Sequence, residues 1–145
     1  MKQYKPVTPG RRQMTVVDYS GLSTVKPWKN LTKKIRERAG RNSQGRITTR
    51  HQGGGNKKVY RLVDFGKDIF EKARVETIEY DPYRTAFIAR ILDQNGKRQY
   101  IIAPQDLKVG DDIVSGKTAP LKVGNRMALQ NIPVGYRVHN IEFHS

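Results

Sequence analysis

Positive charge is concentrated at one end of this chain. Residues 1–61 contain 16 Lys and Arg but only two acids, Asp18 and Glu37, for a net charge of +14. Residues 62–145 contain 12 Lys and Arg against 11 acids, for a net charge of +1. A segment so basic cannot bury enough apolar surface to form its own core. The asymmetry predicts a basic arm joined to a compact body, which is typical of chains that bind nucleic acid.

The balanced part of the chain has the pattern of short β-strands separated by Gly, Pro and Asn. Alternating or β-branched runs predict strands at residues 59–65, 73–80, 85–93, 97–103, 112–114 and 136–143. Asn95-Gly96 is a strong signal for a tight hairpin between the third and fourth of these strands. The spacing indicates a mainly β protein built around a small barrel.

The basic arm contains weaker signals of regular structure. Residues 14–19 predict a short strand, and residues 26–40 predict a helix with Leu31, Ile35 and Ala39 on one face. Asn30 is a suitable N-cap, and Gly40 is a suitable end. Residues 40–58 follow, with five glycines in nineteen positions and no period. This segment, the basic loop, is expected to become ordered on binding.

Catalysis has little support in the sequence. GRNSQGRI (40–47) has two glycines at phosphate-loop spacing, but Arg46 and Ile47 stand where Lys and Ser or Thr are required. The chain has no Cys, and its three histidines, His51, His139 and His144, do not have the placement of the three or four ligands that a zinc site needs. No nucleophile motif or paired carboxylates stand out, so we expect no enzyme, cofactor or metal.

A membrane surface is the other polyanion that a basic chain can bind. No run approaches the ~18 apolar residues of a membrane span. A surface-bound amphipathic helix needs a broad apolar face, and Trp28, Leu31 and Ile35 are too few to provide it. We therefore expect no membrane partner. The remaining alternatives are RNA contact and a solvated basic linker.

The composition of the basic loop favours RNA contact. Glycines let the backbone approach a phosphate chain and present its N–H groups. Arginine can fork onto phosphate, and neutral donors suit phosphate or 2′-OH groups. The cations are Arg46, Arg50, Lys57 and Lys58 in the loop and Arg61 just after it; the neutral donors are Asn42, Thr48, Thr49, Gln52 and Asn56; and His51 can stack on a base or donate to a phosphate.

Four ordered motifs carry a resemblance that covers essentially the whole chain. They are PGRR (9–12), GRNSQGRITTRHQGGGNKKVYRLVDF (40–65), EYDPYRTAFIARI (79–91) and NIPVGYRVHNIEF (131–143). They strongly resemble the bacterial-type large ribosomal subunit protein two, the universal L-two family. The resemblance implies an rRNA-binding arm at 1–57, a five-stranded oligonucleotide-binding (OB-like) barrel at 58–116, and the beginning of an SH3-like barrel at 117–145.

The resemblance also implies RNA contacts at matching positions. These are Arg11, Arg12, Arg41, Asn42, Arg46, Thr48, Thr49, Arg50, His51, Gly53, Gly54, Gly55, Asn56, Lys57 and Lys58 in the arm, and Arg84 after the Tyr-Asp-Pro turn. Two positions depart from the family pattern: Tyr83 stands where Asn is common, and Asn56 where His is common. The alternative to an RNA contact at Arg84 is a surface arginine that flanks the turn and has no binding role.

The function implied is that of a structural constituent of the large ribosomal subunit. Its partners would be large-subunit ribosomal RNA and other ribosomal proteins, in a bacterial cytoplasm or an organelle. Family members continue through a completed second barrel, so we expect a separate polypeptide to supply that half, or else a truncated product. The alternative function is a free-standing single-strand nucleic-acid module, with Tyr60, Tyr80, Tyr83 and Phe87 as candidate stacking platforms.

Overall fold

The computed structural model describes residues 1–66 and 70–143, and its regular structure is mainly β. Two short antiparallel pairs come first, followed by one larger sheet. The strands are β1 (Lys2–Gln3), β2 (Thr15–Val16), β3 (Thr32–Lys33), β4 (Tyr60–Arg61), β5 (Lys72–Glu79), β6 (Ile88–Asp93), β7 (Arg98–Ile102) and β8 (Asp112–Val114). Single 3₁₀ turns form at Pro9–Arg11, Lys29–Leu31 and Leu129–Asn131.

The larger sheet has the strand order β7-β6-β5-β8, and its strands pair antiparallel throughout. The β6–β7 hairpin turns at the predicted Asn95-Gly96, where Gly96 has a φ of +76°. The strands predicted at 73–80, 97–103 and 112–114 are confirmed to within about a residue at each end, and the one at 85–93 begins later, at Ile88. A register shift between Val75 and Thr77 bends β5.

One face of this sheet carries the apolar core. Val75, Ile91 and Ile113 are almost completely buried there, and Phe70 and Leu107 cover them. Burying each such side chain contributes about 1.5–3 kcal/mol. The core therefore draws its residues from three adjacent strands. On β5 the strict alternation of the sequence is interrupted by the register shift, so Ile78 lies in the core together with Val75.

The segment after β4 joins the sheet at its β7 edge. Val63 forms a parallel bridge with Tyr100, and the Asp64 N–H donates to the Tyr100 carbonyl at 2.7 Å. The strand predicted at 59–65 is thus reduced to Tyr60–Arg61 and one bridge. Within residues 1–66 and 70–143, the paired strands do not close into a barrel.

The helix predicted at 26–40 is wrong. One 3₁₀ turn, Lys29–Leu31, leads directly into β3, which pairs with β4. The Leu31 carbonyl accepts from the Leu62 N–H at 2.9 Å, a long-range bond that an α-helix would not permit. Backbone pairing outweighed a weak helical pattern because that pattern offered one narrow apolar stripe among basic residues.

The last predicted strand, at 136–143, is also wrong for the described part of the chain, up to residue 143. A strand needs a partner to satisfy its backbone, and this tail instead attaches by side chains. Arg126 donates to the Gly66 carbonyl at 2.9 Å and pairs with Glu142 at 2.7 Å, while Asn140 donates to the Phe65 carbonyl at 3.4 Å. No helix among the described residues is long and apolar enough to cross a bilayer.

Candidate nucleic-acid interface

The first half of the basic loop is a small, well-defined turn. Arg41 and Ile47 form an antiparallel bridge, and the Asn42 N–H donates to the Arg46 carbonyl at 3.0 Å. The Asn42 side-chain oxygen accepts from the N–H groups of Gln44 and Arg46, both at 3.0 Å. The side-chain carbonyl of Asn42 therefore stabilises the turn that presents Arg46. The sequence had predicted that Asn42 contacts RNA directly.

Gly40 is the base of this turn. Its carbonyl accepts from the N–H groups of Thr48 and Thr49, at 2.9 and 3.1 Å, and from the Thr48 hydroxyl at 3.3 Å. Its φ is +67°, and a Cβ added there would lie 2.2 Å from the Thr49 carbonyl oxygen. Only glycine fits this position without displacing backbone.

The second half of the loop contains the three consecutive glycines. Gly53 and Gly54 have positive φ values of +106° and +78°, and His51 also has a positive φ of 61°. A Cβ on Gly53 would lie 3.0 Å from Ala39 Cβ, and one on Gly55 would lie 3.3 Å from the Glu37 carboxylate oxygens. A Cβ on Gly54 would meet nothing within 4 Å, so this glycine presents bare backbone outward.

Every residue from 41 to 58 is exposed. The structure therefore brings the predicted contact residues of the loop together on one exposed segment: Arg41, Asn42, Arg46, Thr48, Thr49, Arg50, His51, Gly53, Gly54, Gly55, Asn56, Lys57 and Lys58. Five of these are cations. Arg11 and Arg12, also exposed, lie at a separate 3₁₀ turn, where the Arg11 guanidinium is 5.4 Å from the centroid of the Tyr4 ring.

Arg84 and Lys58 meet at an aromatic cluster on the body. Arg84 forms an ion pair with Asp81, which is fully buried, and donates to the Tyr60 hydroxyl at 3.1 Å. The Lys58 ammonium lies 5.9 Å from the centroid of the Tyr83 ring, and that ring meets Tyr60 edge-on at 5.4 Å. The Arg84 side chain is only 16% exposed. Its observed contacts hold the Tyr-Asp-Pro turn against β4.

Arg61 is half-buried. One of its terminal nitrogens donates to the Val59 carbonyl at 2.6 Å, while its buried Nε has no hydrogen-bond partner among the described residues. Its side chain lines a cleft with Tyr19, Lys26 and Tyr80. Arg61 thus lies apart from the exposed cations of the basic loop.

A polar network beneath Trp28 joins the arm to the sheet, and sequence reasoning did not anticipate it. The backbone N–H of Trp28 donates to the Tyr100 hydroxyl at 3.0 Å, and that hydroxyl donates to Glu79 at 2.9 Å. Glu79 is 4% exposed and also accepts from Thr77 at 2.8 Å, with Arg90 3.3 Å away. Burial raises the pKa of the Tyr100 hydroxyl. The segment around Trp28 is therefore fixed to the body.

A second carboxylate, Glu76, holds two arginines on the same sheet face. Arg98 bonds it through Nε and a terminal nitrogen, both at 2.9 Å, and Arg90 bonds it at 2.9 Å. The Arg98 hydrogen bonds, followed by those of Arg90, hold the pKa of Glu76 below its ordinary value, against the effect of burial. The Arg98 guanidinium lies 4.5 Å from the centroid of the Trp28 ring. The sequence feature that could have pointed to this contact is the position of the only tryptophan of the chain within a basic arm.

No cluster of His, Asp or Glu suited to a metal ion occurs within the described residues. His51 and His139 lie far apart in sequence, and His144 lies outside the described residues. The exposed groups of the basic loop are hydrogen-bond donors and cations, which suit an extended anionic ligand.

Comparison with known families identifies a model that matches most of the chain. The model for "Ribosomal Proteins L2, RNA binding N-terminal domain" matches residues 28–115, which is more than half of the 145-residue chain. The matched span begins at Trp28 and includes the basic loop and the whole larger sheet.

Proposed function

The chain belongs to the ribosomal protein L2 family, a structural RNA-binding family, and we propose that it binds ribosomal RNA within the large subunit and supports subunit assembly and translation. The matched domain is RNA-binding, which accounts for the basic arm without invoking an enzyme. Assembly is the expected role because a basic loop that fixes RNA segments against a rigid body reduces the conformations open to that RNA.

The observation that carries this proposal is the exposed basic loop with its ordered turn. Arg41, Arg46, Arg50, Lys57 and Lys58 are all exposed, and the Gly40 and Asn42 hydrogen bonds hold the first part of the loop in one conformation. Preorganised cations bind phosphate at lower entropic cost than a flexible tail would. A merely solvated linker would not require a glycine packed against the Thr49 carbonyl.

Each of the three predicted domains is assigned its own part in this function. Residues 1–57 act as the arm that neutralises phosphates, although β3 and Trp28 anchor part of that arm to the body. Residues 58–116 are assigned to an OB-like domain, which the antiparallel four-stranded sheet supports. Residues 117–145 are assigned to the start of an SH3-like domain.

The remaining assignments follow from the family. The partners are large-subunit ribosomal RNA and neighbouring ribosomal proteins, and the location is the large subunit of a bacterial or organellar ribosome. A separate polypeptide that packs against residues 117–143 is a further proposed partner. The exposed apolar side chains of Val134 and Phe143 each offer apolar contact area to such a partner.

Salt dependence tests the RNA-binding proposal. Five loop cations on single-stranded RNA give a slope of log affinity against log salt of about −3.5, so affinity should fall about a hundredfold between roughly 50 and 200 mM salt. Replacing Arg46 and Arg50 together by Gln should flatten that slope by about 1.4. Affinity that hardly changes with salt would contradict the proposal.

Co-sedimentation separates the ribosomal role from a free-standing single-strand module. The tagged chain, expressed in cells, should travel with large subunits on a sucrose gradient and be released by high salt. Migration only in the soluble fractions, with retained affinity for short RNA, would favour the free-standing module.

A separate experiment tests the proposed polypeptide partner. Addition of a polypeptide that carries the C-terminal half found in family members should raise the solubility or stability of this chain; no gain would refute the separate-partner proposal.

A further inference from the structure

The outer face of the larger sheet contains a hollow of about 420 Å³. Its lining includes Trp28, Val109 and Gly110. It also includes Leu92, which pairs with Arg74 on one neighbouring strand and with Arg98 on the other. The Val109–Gly110 segment is fixed to β5, because the Gly110 N–H donates to the Val75 carbonyl and the Val75 N–H donates to the Asp111 carbonyl, both at 2.9 Å. This feature, the sheet hollow, is therefore a rigid concavity.

The lining combines an apolar wall with excess positive charge. Trp28, Leu92 and Val109 supply the apolar surface, while three arginines face one glutamate. Glu76 engages Arg90 and Arg98. Arg74 is exposed and forms no hydrogen bond or ion pair with the residues that the structure describes. One guanidinium at the hollow thus remains available to an outside anion.

These features fit an unpaired nucleotide of RNA. Unstacked bases are bound by stacking on aromatic rings and guanidinium planes, with cations on the adjoining phosphate. The Arg98 guanidinium lies over the Trp28 ring, 4.5 Å from its centroid, and Trp28 is 38% exposed, so both kinds of plane occur at one place. Trp28 also precedes the basic loop by only a dozen residues of chain, so both belong to the same basic arm.

We propose that the sheet hollow is a nucleobase-binding site, in which an unpaired RNA base packs against Trp28, Leu92 and Val109 while Arg74 binds its phosphate. The proposal rests on the proposed function, since it assigns to the body a contact of the same RNA that the arm binds. It adds a base contact to what is otherwise a backbone interface. The arm supplies affinity through phosphates, and the hollow selects RNA with a base free to leave its stack.

Trp28 is the single tryptophan, so its fluorescence reports directly on the hollow. The intact chain is titrated with a short oligoadenylate and with an abasic oligomer of the same length, while anisotropy of a labelled ribosomal RNA fragment follows total binding. Oligoadenylate should quench Trp28, and the abasic oligomer should bind with little quenching. Equal quenching by both oligomers, or none by either while RNA is bound, overturns the nucleobase site. Failure of every RNA to bind would instead contradict the proposed function itself, and the site with it.

A matched pair of variants gives a second test. Val109 and Val123 are equally exposed, at 53% and 52%, but only Val109 lines the hollow. Val109→Glu should weaken oligoadenylate binding about tenfold through lost base packing. Val123→Glu adds the same charge elsewhere and should change binding by about twofold at most in moderate salt. Equal effects of the two variants, with both shown to be folded by thermal unfolding, would overturn the proposal. If Val109→Glu does not fold, the quenching experiment on the unmodified chain decides alone.

Discussion

Two glycines of the basic loop allow the preorganisation of the RNA-binding turn to be measured. Gly40 and Gly45 both have positive φ, +67° and +80°. Alanine at either position must adopt the left-handed conformation, which costs about 1–2 kcal/mol. The two differ in space: nothing lies within 4 Å of a Cβ on Gly45, whereas a Cβ on Gly40 would collide with the Thr49 carbonyl oxygen at 2.2 Å. Gly45→Ala is therefore the control for backbone strain alone.

The collision at Gly40 also breaks hydrogen bonds. Relieving it moves Gly40 away from Thr49, and the two N–H bonds that the Gly40 carbonyl accepts are lost. Each such bond contributes about 0.5–1.5 kcal/mol, so Gly40→Ala disfavours the ordered turn by about 2–5 kcal/mol in all. Apparent affinity for RNA falls in proportion to the fraction of molecules whose loop is in the binding-competent conformation. We therefore expect affinity to fall about tenfold for Gly45→Ala and about a hundredfold for Gly40→Ala.

The assay is fluorescence anisotropy of a labelled ribosomal RNA fragment at one fixed salt concentration, with urea unfolding in parallel. The turn is exposed and lies outside the sheet, so it can open without unfolding the core. Both variants should therefore unfold within about 0.5 kcal/mol of the unmodified chain. Equal affinities for the two variants would refute the preorganisation argument, as would a large loss of global stability in Gly40→Ala.

Three further predictions concern the glycine run and the networks of the sheet. Gly54→Val should reduce incorporation into ribosomes, measured on sucrose gradients, more than it lowers the urea midpoint; an unfolded sheet with normal incorporation would contradict this. Tyr100→Phe removes the hydroxyl that accepts from the Trp28 N–H and should lower the free energy of unfolding by about 1–3 kcal/mol, measured by urea titration. An unchanged midpoint would contradict the prediction. Glu76 has a pKa lowered from its ordinary 4.5 by Arg98, so its stabilisation is present above that value and is lost as pH falls through the lower folded pKa. Glu76→Gln should flatten stability against pH in that acidic range, and a slope identical to that of the unmodified chain would contradict the prediction.

The strands of the sheet were predictable because their signals are local. Alternating side chains place Val75 and Ile91 toward the core, and Asn95-Gly96 supplies the positive φ that the hairpin needs. The exposed basic loop was equally predictable, since charge and glycine content keep residues 41–58 out of any core. The sequence resemblance to the family matched at residues 28–115 rested on four ordered motifs, of which those at 40–65 and 79–91 lie within the matched span.

The errors occur where distant partners decide the backbone conformation. Residues 26–40 had a weak helical pattern, but pairing of β3 with β4 and the bond from Leu62 to Leu31 required extended backbone. Residues 136–143 had a strand pattern, but no strand among the described residues pairs with them. Hydrogen-bond partners so far apart in sequence leave no local trace.

The sequence by itself determined which part of this chain is basic, which part forms strands, and the family to which it belongs. Each of those follows from residue type, spacing or an ordered motif. Only the tertiary structure decided that Asn42 and Arg84 bond mainly within the protein, and that Trp28 lies over Arg98 beside a rigid hollow. The physical reason is that a side chain's free hydrogen-bonding capacity depends on its neighbours in space, and folding selects those neighbours from the whole chain.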